Sequence, residues 1–135
     1  ESEFDVGYSR FSPDGKWIGY ISNEGGKYEL YVTRFPSGEG KWQLTNDGAD
    51  WLLGWNDAGN ELFYLDLEGN LGSVKVEFGD QVVAELPTMM FPTRAGNTWD
   101  NKSDGSGFVL GVPNDAGDDF PITLLVNWNG GGRTD

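Results

Sequence analysis

Three stretches of this chain can be laid over one another: FSPDGKWIGY from Phe11, WNDAGNELFY from Trp55 and NKSDGSGFVL from Asn101. In each, a polar turn carrying a glycine leads into a short run of apolar and aromatic residues. The turn glycines, Gly15, Gly59 and Gly105, are spaced by 44 and 46 residues. That period fits four short strands and their turns, a unit that buries its apolar faces only by stacking on neighbours like itself.

The punctuation between the repeats supports this division. In the first unit, residues 7–46, the turns PDG, NEGG and PSGEG separate strands expected at 7–12, 16–22, 27–34 and 41–45. In the second, residues 49–91, strands are expected at 49–56, 60–66, 70–77 and 81–91, with Pro87 marking the last as an edge or bulged strand. The third, residues 96–128, supplies strands at 96–102, 106–113 and 120–128 and lacks a fourth. Residues 2–6 alternate polar and apolar side chains outside any unit. They are the expected closing strand, with Phe4 and Val6 meeting Ile122, Leu124 and Val126 of the third unit, within one chain or between two. In 16–22, Trp17, Gly19 and Ile21 fall on one face and Ile18 and Tyr20 on the other. A strand apolar on both faces is buried on both, as in a sheet sandwiched between two others. Gly, Pro, Asn or Asp interrupts every window long enough to show a helical period, so the expected class is all-β.

The run from Phe11 to Tyr20 resembles the TolB-like or WD40-like (PD40) β-propeller repeat: an aromatic residue, S-P-D-G, then an apolar strand. The second repeat reads N-D-A-G, with Ala58 where Asp14 stands in the first, and the third reads K-S-D-G, retaining Asp104. The runs YELYVTRFPSGEGKWQLTNDG, WNDAGNELFYLDLEGNL and PITLLVNW look like the C-terminal propellers of bacterial Ser/Thr kinases and related sensor proteins. The resemblance implies a single partial-propeller domain over residues 1–135, an arc of three blades from a ring that normally holds six to eight. It also implies a bacterial source, a periplasmic or extracellular setting, and a role in binding, since such propellers serve as adaptors, sensor ectodomains and peptidase gates.

Composition narrows the chemistry. Nine Lys and Arg against 22 Asp and Glu give a formal charge of -13, which repels a phosphate backbone, so nucleic acid is not an expected partner. The chain has no cysteine and no histidine, which removes disulfides, nitrogen or sulfur zinc ligands, imidazole bases and thiol nucleophiles. No G-x-S-x-G occurs, and no apolar run is long enough to span a membrane. The first residue is Glu1, not methionine, which suggests processing, truncation or a chosen boundary.

Several residues invite a functional reading. Carboxylates in turns bind calcium, but Asp14-Gly15, Asp104-Gly105 and the related Asp57-Ala58-Gly59 have a turn role of their own. The NDAGDD cluster at 114–119 and the stretch from Asp100 are the other calcium candidates, and position twelve from Asp100 is Gly111, where an EF-hand needs glutamate. No cofactor is therefore expected, with calcium as the alternative. Among six tryptophans, Trp51 and Trp99 fall at or near the starts of innermost strands and are the expected ligand contacts. Asn101-Lys102-Ser103 is an N-glycosylation sequon placed in an expected turn. The leading expectation is a non-catalytic interaction or scaffold module, partnered by itself or by the missing blades of a longer propeller, in a closed oligomer or a filament. The alternatives are a sensor or lectin-like domain taking a peptide, glycan or cation, and an acid-pair glycoside hydrolase.

Overall fold

The computed structural model describes residues 6–92, 99–101, 107–112 and 122–127. Among these residues the all-β expectation holds: every regular element is a strand, and all pairing is antiparallel. The first blade is a four-stranded meander of β1 (Val6–Phe11), β2 (Trp17–Ser22), β3 (Glu29–Arg34) and β4 (Lys41–Gln43). The second contains β5 (Trp51–Trp55), β6 (Glu61–Leu65) and β7 (Asn70–Glu77). Backbone pairing places β10 (Trp99–Asn101), β11 (Gly107–Val112) and β12 (Ile122–Asn127) in a third sheet.

Two elements differ from the sequence reading. The strand expected at 81–91 is two strands, β8 (Val83–Ala84) and β9 (Thr88–Pro92), which pair with different ends of β7. Pro87 sits in the break, where it has no N–H to donate, and the β7–β9 register shifts between Leu71 and Gly72. Val6, expected at the end of the closing strand, is the first residue of β1 and pairs with Ser22. Residues 2–5, Phe4 among them, lie outside the described residues.

The turns follow from short polar side chains that satisfy backbone amides. Ser12 Oγ accepts the Trp17 amide at 3.0 Å and donates to Asp14 Oδ1 at 2.6 Å, and that carboxylate oxygen accepts the Lys16 amide at 2.9 Å. In the second blade Asn56 Oδ1 alone accepts both equivalent amides, from Asn60 at 2.9 Å and Glu61 at 3.0 Å. Gly15 and Gly59 close these turns at φ of 72° and 73°, the left-handed region that glycine enters without steric penalty.

The core lies between the first two sheets. Trp17, Ile21, Leu30 and Val32 from one face of the first blade pack with Leu52, Trp55, Leu62 and Val74 of the second. The sheets approach closely at Gly19, where a Cβ would sit 2.9 Å from Leu62 Cδ2 and 3.1 Å from Leu52 Cδ2. Trp55 Nε1 donates to the Arg10 carbonyl at 3.1 Å, joining the inner strands β5 and β1.

Two polar devices hold one blade against the next. Glu29, 3% exposed, accepts from the Thr45 hydroxyl and from the Gly48 amide at 3.1 Å, and so ties β3 to the segment that crosses to the second blade. Arg34 lies over the rings of Trp17 and Trp42, 5.2 and 5.1 Å from their centroids, and its Nη2 donates to the carbonyls of Gly79 and Asp80 at 2.9 and 3.1 Å. It thereby clamps the β7–β8 turn onto the first blade.

Candidate functional site

The first strands of the first two blades are both bulged. In β1 the register shifts between Gly7 and Arg10, and in β5 between Leu52 and Gly54. Within the β1 bulge Tyr8 has a φ of 51°, a conformation that costs a bulky side chain energy and that tends to occur at binding sites. The bulge turns its ring onto Trp51, the first residue of β5, with centroids 3.7 Å apart and planes inclined by 29°. Beside this stack, Val6, Gly7, Tyr8, Ile21, Tyr28 and Asp50 line a cavity of about 340 Å³. Asp50 is fixed by its amide, which donates to the Leu65 carbonyl at 2.8 Å, and the amide of Ala49 bonds the Tyr28 carbonyl at 2.9 Å.

Three carboxylates act on Tyr64 of the second blade. Burial pushes the Tyr64 phenol up to about 12, and the charges of Asp66, Glu29 and Asp47 add to the shift. Lys27 lies in the same region, held by Glu29 at 3.4 Å and by the Asn46 carbonyl at 2.7 Å. On the face of the first blade turned from the second, burial and then the Glu24 charge raise both Tyr20 and Tyr31. At the other end of the blades a groove of about 540 Å³ has Trp17 and Phe78 in its wall and Asp14, Asn60, Glu77 and Gln81 among its polar groups. Asp14 is held below the usual carboxylate range, first by the Ser12 hydroxyl and then by the Lys16 amide. Among the described residues no three acidic side chains gather closely enough to hold a metal ion.

Of the residues singled out from sequence, Trp51 lies beside the cavity. Trp99 begins β10, its backbone paired with Leu110. Asn101, expected in a turn, is the last residue of β10 and pairs with Phe108. Ile122, Leu124 and Val126 lie along β12, opposite Val112, Leu110 and Phe108 of β11. Gly105 and the NDAGDD cluster are outside the described residues, and Asp100 pairs with Val109 within β10. Sequence reasoning missed Tyr8, Tyr28 and Asp50. A tyrosine at positive φ has no sequence signature, and one carboxylate among 22 acids draws no notice. Arg34 was missed because a guanidinium held over two rings is a tertiary feature.

Comparison with known proteins identifies the fold. TolB from Acinetobacter baumannii aligns with 93% of this chain at 18% identity and a TM-score of 0.56. An oligogalacturonate lyase solved in complex with manganese aligns with 97% of it at 14% identity and a TM-score of 0.53. The chain spans only 30% and 37% of the lengths of those two proteins. No protein-family model matches the sequence, and no curated protein does. The chain is thus similar to TolB-type β-propellers, and its all-β fold is that of a partial propeller, as the repeat implied.

Proposed function

We propose that this chain is a non-catalytic propeller module that associates, through the face of its first blade turned away from the second, with further blades supplied by another copy or by a longer propeller. The observation that carries the reading is a pair of exposed aromatic rings. Phe11 pairs with Ile18, so it lies on the face opposite Trp17 and Gly19. It meets Phe35 edge to face at 4.8 Å, and the two residues are 56% and 43% exposed. Burying such rings against a second sheet is the favourable step by which blades stack. Tyr20 and Tyr31 stack on the same face, beside the Glu24–Lys41 ion pair, and supply a polar border of the kind that surrounds protein interfaces.

The edge of the third sheet offers a second contact. β12 pairs with β11 from Val112–Ile122 to Gly107–Asn127, and a segment such as residues 2–5 would extend the sheet by main-chain hydrogen bonds. The proposal places the module outside the cytoplasm of a bacterium. Light scattering over a concentration series tests the association. A mass that rises with concentration for the native chain and stays monomeric for Phe11→Asp with Phe35→Asp supports the blade-face contact. An unchanged mass in the double variant would overturn it, and deletion of residues 1–5 tests the strand contact in the same assay.

A further inference from the structure

We propose that the cavity beside Tyr8, Tyr28 and Asp50 is a recognition pocket for an alkyl ammonium or guanidinium group, the chemistry that a lysine or arginine side chain of a basic peptide presents. This inference is independent of the association through the opposite face of the first blade, because the residues involved are different.

Four observations converge on it. The cavity of about 340 Å³ falls at the lower end of the range for ligand pockets, about 300–1,000 Å³, and suits one long side chain. Its walls combine tyrosine rings with a carboxylate, and Asp50 is exposed. Aromatic faces carry negative potential, so a cation over a ring with a carboxylate beside it is favoured twice, and a neutral alkyl group gains only its apolar contact. The wider field has the same sign: Asp47, Asp66 and the buried Glu29 all act on the neighbouring Tyr64, while Lys27 is engaged by Glu29 and the Asn46 carbonyl. Finally, Tyr8 is held at a φ of 51° with its ring on Trp51. Glycine would take that backbone without strain, so an aromatic side chain sits there at a conformational cost. That cost is explained if the ring is needed in the wall of the pocket.

The probes are acetyl-Gly-Lys-Gly-amide, its norleucine counterpart, and 1,5-diaminopentane, each titrated into the native chain and followed by NMR. The expected result is saturable binding of the lysine peptide at millimolar concentration or below, with shifts at the Trp51 indole and the Tyr8 and Tyr28 rings. Tighter binding of the peptide than of the diamine identifies a peptide as the source of the cation, and the reverse order identifies a free amine. Asp50→Asn is expected to weaken either cation at least about tenfold. Tyr8→Gly suits the local backbone, so it should preserve the fold while weakening binding comparably. Equal binding of the norleucine peptide, an unchanged affinity in Asp50→Asn, or no saturation by either cation would each overturn the proposal.

Discussion

At the scale of single residues, the turn at Asn56 explains a departure that the repeats display without accounting for it. The first repeat uses two side chains, Ser12 and Asp14, to satisfy the amides of Trp17 and Lys16. The second gives both bonds to the Asn56 carboxamide, which also donates to Asn60 Oδ1 at 2.6 Å. Ala58 can therefore stand where Asp14 does. Asn56→Ala should cost about 1–3 kcal/mol in urea unfolding, because two amides lose their acceptor. Asn56→Ser alone should recover part of this, and Asn56→Ser with Ala58→Asp should recover most. Asp14 makes a separate prediction: its carboxyl is lowered below 3.8 by the Ser12 hydroxyl and the Lys16 amide. Its contribution is present above that ordinary value and is lost as pH falls through the lowered one, so Asp14→Asn should flatten the acid limb of the stability curve. The glycine positions were legible from the repeat, since Gly15 and Gly59 occupy matching left-handed turns. The division of labour behind them was not, because Asn and Ser-x-Asp reach the same amides by different routes.

At the scale of elements, the first blade was readable because glycine-bearing turns separate its four strands. The fourth strand of the second blade was not, because strand propensity on both sides of Pro87 conceals a break that only the pairing with β7 exposes. What holds the elements to each other is close approach and a few polar bonds. Gly19→Ala would bring a methyl within 2.9 Å of Leu62 and 3.1 Å of Leu52. Leucine side chains yield only partly in a packed core, so the expected cost is about 1–3 kcal/mol, read from the unfolding midpoint. Arg34→Lys should cost about 1 kcal/mol despite retaining the charge, because an ammonium cannot reproduce a planar group lying over Trp17 and Trp42 while bonding both Gly79 and Asp80. Hydrogen exchange should show where the loss falls: in Arg34→Lys the amides around the β7–β8 turn should exchange faster, with β2 and β6 unchanged.

At the scale of the whole molecule, a formal charge of -13 acts in opposite senses on the two contacts proposed for it. Two copies meeting through Phe11 and Phe35 must bring like charges together. Raising salt from about 0.05 to about 0.5 M shortens the screening length severalfold and should strengthen that association. A cation entering the pocket beside Asp50 gains from the same field, so its affinity should fall over the same range. Measuring the monomer–oligomer equilibrium and the lysine-peptide titration across one salt series separates the contacts without a mutation. Association that weakens with salt would mean that charged groups such as Glu24 and Lys41, not the phenylalanines, make the contact. Peptide binding that is indifferent to salt would mean that the pocket recognises the alkyl chain alone. The spacing of 44 and 46 residues makes the division into blades legible in the sequence, but it gives no sign of which surface meets which partner. Association through the open blade face depends on apolar area, and recognition in the pocket beside Asp50 depends on the sign of the local potential, so their slopes against salt should be opposite.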